Sequence, residues 1–447
     1  MNIVVIGLGE VGRYLVSTLS HDGHDIFAVD KRPEAIAFIE EHHDVATVMG
    51  YGASQEVLDT ANVQDADLVV AVTNHDEVNL IAALAARQLG ASRVVARAQG
   101  NEWAQWTEGI RHGLLGVDLV INPRVLVGQE LGRVARSHGA ADVIDLADDR
   151  VELVEMSMTS RMANKPLAKL QLPKGTLVAA YVRDGTLTIP GGADVLLPGD
   201  TVYLVGLPEA ILEAEDLFST RREARRILIV GGGVIGQAMA RQVLPHGAKV
   251  TIIEQDKDIA QELAETYSDI TIVHGDGTDK DLLDEIEAET YDLCAAVTSQ
   301  DEVNLMVSLI AKREGVPRTA AVAHRADYAP IYRELGVDIV LSPRTVAADQ
   351  ILNETRAQGV HSLHEVADGA ANIIEVTASV GCTAIGQPLR RLSMPRGSLL
   401  AAVRRREDVF VPRGDDAIEV GDRVVVMTTP EARPSVERLF CRSRRSS

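Results

Sequence analysis

Cysteine is nearly missing: the 447 residues include three, Cys294, Cys382 and Cys441. Three thiols cannot form an even set of disulfides, and none has metal-ligand spacing, so no disulfide framework or thiolate metal site is expected. Cys294 lies in an apolar run and reads as a small core residue, which suits a reducing compartment. Aromatic residues make up 3% of the chain, leaving Val, Ile, Leu and Ala to fill the cores. No apolar run approaches the length of a membrane span. Met1-Asn2-Ile3-Val4-Val5-Ile6 is too short for a signal peptide and lacks a basic start, so it reads as a first strand. Positive charge is scarce too. A net charge of −21 leaves no basic footprint for a nucleic-acid partner. Arg221-Arg222 with Arg225-Arg226, and Arg442, Arg444 and Arg445, read as a solvated linker and a frayed tail. His21 with His24, and His42-His43, have no cysteine or carboxylate constellation around them, so no metal is expected.

What the chain has, it has twice. Gly7-Leu8-Gly9-Glu10-Val11-Gly12 returns as Gly231-Gly232-Gly233-Val234-Ile235-Gly236, a shift of 231 − 7 = 224. Thr73-Asn74-His75-Asp76-Glu77-Val78-Asn79-Leu80 returns as Thr298-Ser299-Gln300-Asp301-Glu302-Val303-Asn304-Leu305, a shift of 298 − 73 = 225. Each half is long enough for a nucleotide-binding domain and a smaller companion, so four compact pieces are expected.

Within a half, short apolar runs alternate with helical patterns. Ile3 to Ile6, Ile26 to Val29, Val45 to Met49, Leu68 to Val72, Val94 to Ala96 and Leu119 to Ile121 read as strands. Val11 to Leu19, Leu80 to Leu89 and Glu102 to Ile110 read as helices between them. Strands joined by helical crossovers predict a doubly wound parallel sheet, a Rossmann-type α/β fold. Arg124 to Ser137 has helical spacing and reads as a connecting helix. From Val143 the sequence turns β-rich, with Asp184-Gly185 as a hairpin signal and a closing helix from Pro208 to Phe218. The expected division is 1–123 Rossmann-type, 124–140 connecting helix and 141–220 small α+β. It repeats as 225–343, 344–360 and 361–447.

The glycine loop follows a strand and opens a helix. Gly7 would allow the tight turn, Gly9 a close approach of backbone to a pyrophosphate, and Gly12 close packing of helix on strand. Helix-start N–H groups would then face the phosphates. Asp30 lies 30 − 12 = 18 residues beyond Gly12, where a carboxylate receives ribose hydroxyls, which favours NAD(H). Glu254 is its counterpart in the second half. Thr73 and Asn74 end the fourth strand at the cleft mouth and are assigned dinucleotide contacts, as are Thr298 and, in the first half, Arg97. Val322 aligns with Arg97, so the second pocket is expected to lack that contact. Asp76-Glu77 and Asp301-Glu302 sit at helix starts, where carboxylates suit the dipole.

The glycine loop, Asp30, the strand Asp67 to Thr73 with Asp76-Glu77-x-Asn79, and Gly116-Val117-Asp118 resemble the domain that regulates potassium conductance (RCK). The β-rich follower, with Gly185 and Pro198-Gly199-Asp200, resembles the companion domain of that family. Two copies in one chain resemble the peripheral regulatory subunits of Trk potassium-uptake systems, over essentially the whole length. The resemblance implies a cytoplasmic protein on the inner face of the cell membrane, not an enzyme. It implies a homotetrameric ring that gates a TrkH/TrkG-like potassium-translocating subunit in response to NAD(H), or to ATP and ADP. It adds Tyr51, Gly52 and Asp276 to the nucleotide contacts. Tyr51 stands where the family often has aspartate, and Pro123-Arg124 and Pro343-Arg344 stand where relatives commonly show Pro-Glu. An NAD-dependent dehydrogenase, or a regulator of a potassium/proton antiporter, is the alternative.

Overall fold

Short β-branched runs, buried on both faces, are the signature of a parallel sheet covered by helices. In the first copy β1 (Asn2–Ile6) leads through α1 (Glu10–His21), β2 (Asp25–Asp30), α2 (Pro33–His42), β3 (Ala46–Met49) and α3 (Gln55–Thr60) to β4 (Leu68–Ala71). Then come α4 (Asp76–Leu89), β5 (Val94–Arg97), β6 (Ile110–Leu114), β7 (Val117–Ile121) and α5 (Pro123–Arg136). The computed structural model describes residues 1–21, 23–100, 110–136, 142–147, 150–158, 162–218, 225–354, 360–367, 369–406 and 408–440. The strand order is β3-β2-β1-β4-β5-β7-β6. Neighbours pair parallel except β6, which runs antiparallel to β7. The sequence does not announce β6. Of the helix expected over 102–110, residues up to 109 lie outside the described ones, and Ile110 starts this strand. Leu115 and Gly116 turn the hairpin with φ of 52° and 80°. Leucine there hides a turn usually signalled by asparagine or aspartate.

The small domain that follows is an antiparallel sheet of β8 (Asp142–Leu146), β9 (Val151–Ser157), β10 (Thr176–Arg183), β11 (Thr186–Thr188) and β12 (Thr201–Gly206), closed by α6 (Pro208–Phe218). Asp184 and Gly185 have φ of 50° and 74°, as the hairpin signal predicts.

The second Rossmann copy runs β13 (Arg226–Val230), α7 (Val234–Val243), β14 (Lys249–Glu254), α8 (Lys257–Thr266), β15 (Ile270–His274), α9 (Lys280–Glu285), β16 (Leu293–Ala296) and α10 (Asp301–Arg313). It ends in β17 (Thr319–Val322), α11 (Ala329–Glu334), β18 (Ile339–Leu341) and α12 (Pro343–Glu354). Its sheet is parallel, in the order β15-β14-β13-β16-β17-β18. Arg225 and Arg226 belong to this fold rather than to a linker, since both backbone N–H groups donate to Asp292. The second small domain has β19 (Val360–Val366), β20 (Ala371–Thr377), β21 (Ser398–Arg405), β22 (Asp408–Phe410), β23 (Arg423–Thr428) and α13 (Arg433–Phe440).

The four segments group in pairs, like with like. One unit joins Met1–Ala135 with Ala224–Thr355, and the other joins Arg136–Glu223 with Arg356–Ser447. In the first unit the copies exchange their last helices. Ala348 and Ile351 of α12 are buried in the core of the first copy, with Leu15, Val16 and Leu19 of α1. Burying one isoleucine contributes about 1.5–3 kcal/mol, so the exchange is a substantial bond between the copies. Reciprocally, α5 lies on α7. A Cβ on Gly128 would come within 2.5 Å of Ile235 O and 2.6 Å of the Ala238 Cβ, so small residues are what allow this approach. The Arg318 guanidinium completes the joint with a 3.0 Å bond to Val134 O.

In the second unit the two small sheets share one core, in which Leu153 and Val205 meet Ile373 and Met427. Each sheet carries the same buried ion pair. Arg183 grips Asp200 through Nε at 2.8 Å and Nη2 at 2.7 Å, and Arg405 grips Asp422 at 3.0 and 2.8 Å.

Candidate nucleotide site

In a doubly wound sheet, ligands sit at the carboxyl ends of the strands where the order reverses. Here that point lies between β1 and β4 in one copy and between β13 and β16 in the other. The glycine loops leave β1 and β13 at those ends. Gly7 and Gly231 have φ of 99° and 112°, which only glycine adopts cheaply. A Cβ on Gly12 would collide with Gly7 O, and one on Gly236 with Gly231 O. Gly9 and Gly233 differ. Neither has a positive φ, and a Cβ on either would meet nothing within 4 Å. Nothing in the protein's own packing requires glycine there. The space is a cradle open to a ligand's phosphates, as the middle glycine of a dinucleotide fingerprint provides. Leu8 is buried between them, while Glu10 and Val11 open α1, with Glu10 exposed and Val11 in the core. Gly232, half-buried Val234 and buried Ile235 repeat the pattern around Gly233.

The carboxylates end the adjacent strands. Asp30 is buried and accepts from Leu8 N at 2.7 Å, and Glu254 accepts from Gly232 N at 2.7 Å. Each acid therefore fastens the glycine loop to the next strand. Burial pushes the Asp30 carboxyl up, but hydrogen bonds from Arg32 and Leu8 together outweigh it and hold the group below the ordinary carboxylate range.

Thr73 and Thr298 are held by asparagines. Buried Asn79 accepts from Thr73 N and Oγ1, both at 2.7 Å, and donates to Thr73 O and Arg97 O. Asn304 does the same for Thr298 and Val322. The threonine hydroxyls are thus occupied as supports of the strand ends. Exposed Asn74 offers Oδ1 to Arg97 at 3.2 Å. Arg97 is 7% exposed, and its Nη2 donates to Thr73 O at 2.7 Å. Its Nε is buried with no partner among the described residues. Burial holds the Arg97 pKa below the usual arginine value, with Asp76 acting in the opposite sense and Arg124 in the same. A buried cation with an unsatisfied donor beside an open cradle fits an anionic nucleotide. In the second copy, where Val322 aligns with Arg97, His324 Nε2 donates to Thr298 O at 2.9 Å. The carbonyl that Arg97 caps in the first copy is thus capped in the second from two residues further along.

The two halves of the chain match known domain families. The TrkA-N domain family matches residues 3–123 and 227–343, and the TrkA-C domain family matches residues 151–219 and 373–440. The Trk system potassium uptake protein TrkA homolog 1 of Methanosarcina mazei is 34% identical over 451 residues, covering 98% of this chain and 100% of the relative. The chain belongs to the TrkA family. The Trk system potassium uptake protein TrkA of Azorhizobium caulinodans is 30% identical, with 98% of each chain covered. Among solved structures, the GsuK RCK domain superposes with a TM-score of 0.60 at 18% identity, over 99% of this chain and 95% of that one. The GsuK channel bound to NAD superposes with the same score and identity, over 99% and 79%. At such identity the likeness is one of fold.

The remaining positions divide between the two TrkA-N copies. Tyr51 is 51% exposed at the rim. Gly52 is needed for packing, because a Cβ would run into Ile6. Asp276 is exposed and caps its own turn through Thr278 N and Oγ1, both at 2.8 Å. Asp76 and Asp301 are staples: Asp76 accepts from Gln99 N and Gly100 N, and Asp301 from His324 N and Arg325 N. Arg344, at the start of α12, forms an ion pair across the joint with Glu10, the first residue of α1. Cys294 is wholly buried, and burial pushes its thiol up to about 12. Sequence reading quoted Asn79, Asn304 and Arg344 without giving them these contacts, and passed over His324. The asparagines recur at the repeat offset, which is a signal for a shared role, but the contacts of Arg344 and His324 are remote in sequence. Among the described residues no helix is long and apolar enough to cross a membrane.

Proposed function

We propose that this TrkA-family chain is the nucleotide-sensing regulatory subunit of a Trk-type potassium uptake system. The observation that carries the reading is the pair of glycines, Gly9 and Gly233, which the fold does not need and an incoming phosphate does. Beside each stands a strand-end acid, Asp30 or Glu254, at the position where a dinucleotide fingerprint places one. NAD(H) is the first ligand to test, with ATP and ADP as competitors for the same cradle. The name of the NAD-bound GsuK channel supports that choice.

The route from ligand to movement runs through α1. This helix begins at the glycine loop, carries Glu10 opposite Arg344, and packs against Ile351 of the other copy. Phosphate at the start of α1 bears on the joint between the copies, and α7 with α5 provides the mirror route. A ligand shifts such a joint only by its differential affinity for two arrangements. A hundredfold preference supplies ~2.7 kcal/mol per site, and several sites in a ring multiply it. On this reading the six-segment division from 1–123 to 361–447 is functional. Four chains form a ring on the inner face of the membrane, and the angle between paired Rossmann copies sets the state of a TrkH/TrkG-like potassium-translocating subunit.

The test is potassium flux through the reconstituted membrane subunit with this chain added, comparing NADH with NAD⁺ and ATP with ADP. Unequal effects within a pair support the proposal. Equal effects within both pairs remove it. Turnover of NADH with a small carbonyl compound would instead favour a dehydrogenase.

A further inference from the structure

Asp30 and Glu254 end equivalent strands, yet their oxygens are not equally free. A carboxylate offers about four acceptor sites. At Asp30 they are filled. Oδ1 accepts from Arg32 N at 2.9 Å and Arg32 Nε at 3.1 Å, and Oδ2 from Leu8 N at 2.7 Å and Arg32 Nη2 at 3.2 Å. The same guanidinium reaches Leu8 O at 3.3 Å, where Arg13 Nε also arrives at 3.1 Å. Among the described residues Glu254 accepts two bonds, from Gly232 N at 2.7 Å and Asp256 N at 2.9 Å.

The difference lies in two substitutions between the repeats. The counterpart of Arg32 is Asp256, and that of Arg13 is Gln237, which holds Gly232 O at 2.9 Å as Arg13 holds Leu8 O. The first cleft therefore ends in two guanidiniums against one carboxylate. The second ends in two carboxylates, with no cation at the equivalent positions.

A ribose diol must donate into free carboxylate lone pairs. At Asp30 it finds none until Arg32 leaves, whereas at Glu254 it finds two. A ribose phosphate has the opposite need. It offers the guanidinium fork a doubly charged partner in exchange for Asp30, and it is repelled by Glu254 and Asp256. The Arg32 side chain is 44% exposed, so a phosphate from solvent can reach its guanidinium.

We propose that the two clefts select different dinucleotides: the first takes one whose adenosine ribose carries a phosphate, as in NADP(H), and the second takes one with a free diol, as in NAD(H). This rests on the nucleotide-sensing reading above. It reverses the ranking implied by sequence position alone, in which Asp30 is the main anchor for NAD(H).

Gly9→Asp and Gly233→Asp each put a carboxylate into one cradle, at a position where the added Cβ meets nothing within 4 Å, and so close one cleft at a time. Isothermal titration of NADH and NADPH is expected to show Gly233→Asp binding NADPH at least about tenfold more tightly than NADH, with the reverse order for Gly9→Asp. Adding Arg32→Ala to Gly233→Asp should erase its preference, weakening NADPH and strengthening NADH. Circular dichroism melts matched to wild type certify each variant's fold. A Gly233→Asp protein that prefers NADH, that binds neither dinucleotide while wild type binds one, or whose ratio ignores Arg32→Ala, overturns the division and leaves nucleotide binding standing. Wild-type protein that binds neither dinucleotide overturns the division and the dinucleotide form of the sensing function together, and leaves ATP and ADP to the flux measurement.

Discussion

Arg97 and His324 occupy one station in the two copies, each donating to the carbonyl of the threonine that ends the fourth strand, at 2.7 Å and 2.9 Å. They reach it from different places. Arg97 is the last residue of β5, while His324 lies two residues beyond the end of β17. Arg97 is the costlier solution, because a buried guanidinium with an unpaired Nε is stable only against what surrounds it.

That cost gives the first prediction. An apolar side chain in place of Arg97 gives up two hydrogen bonds and at the same time removes the cost of burying a charge with an unmet donor, and the two effects oppose each other. Arg97→Leu should leave the urea stability of ligand-free protein within about 1 kcal/mol of wild type. It should also lose most of the rise in melting temperature that the ligand produces in the first cleft. Scanning fluorimetry with and without dinucleotide measures both. A large loss of ligand-free stability with an intact ligand shift would make Arg97 purely structural.

The three glycines of the first loop should separate cleanly. Gly12→Ala forces a collision with Gly7 O and is expected to destabilise by about 2 kcal/mol or more. Gly9→Ala meets open space, so its melting curve should match wild type while ligand affinity falls at least about tenfold. Equal melting temperatures for the two variants would contradict the assignment of roles.

Asn79 is wholly buried and serves four hydrogen bonds. Asn79→Ala takes a partner from Thr73 N and from Arg97 O, while Thr73 O keeps Arg97 Nη2, at about 1–3 kcal/mol for each unsatisfied group before relaxation. Denaturant unfolding should show a total loss of about 2–4 kcal/mol, and Asn304→Ala should behave alike in the second copy.

The Asp200 ion pair makes a pH-dependent prediction. Hydrogen bonding to Arg183 lowers the Asp200 pKa, against the opposing effect of burial. A group with a depressed folded pKa contributes stability above the ordinary carboxylate pKa, and that contribution is lost as pH falls through the folded value. Asp200→Asn should therefore be less stable than wild type at pH 6 and above. The gap should shrink steadily below about pH 4. Urea titrations of both proteins across that range measure it, and a gap independent of pH would mean the pair is not the cause.

Much was legible in the chain because the rules involved are local. Positive φ at Gly7, Asp184 and Gly185, the apolar runs from Ile3 to Leu119, and the acid after β2 all follow from residue type and spacing. Where the same rules were broken, reading failed: Leu115 in a left-handed turn concealed β6.

The repeated glycine loops, their strand–helix context and the family to which the chain belongs were determined by sequence alone, since each is written within a few consecutive residues. Only the tertiary structure decided that α5 and α12 cross to opposite copies, that His324 stands in for Arg97, and that Arg32 closes over Asp30. Those outcomes depend on which side chains meet after the chain has folded: α5 and α12 find partners remote in sequence, and even Arg32, two residues from Asp30, is placed by the loop that Leu8 brings alongside.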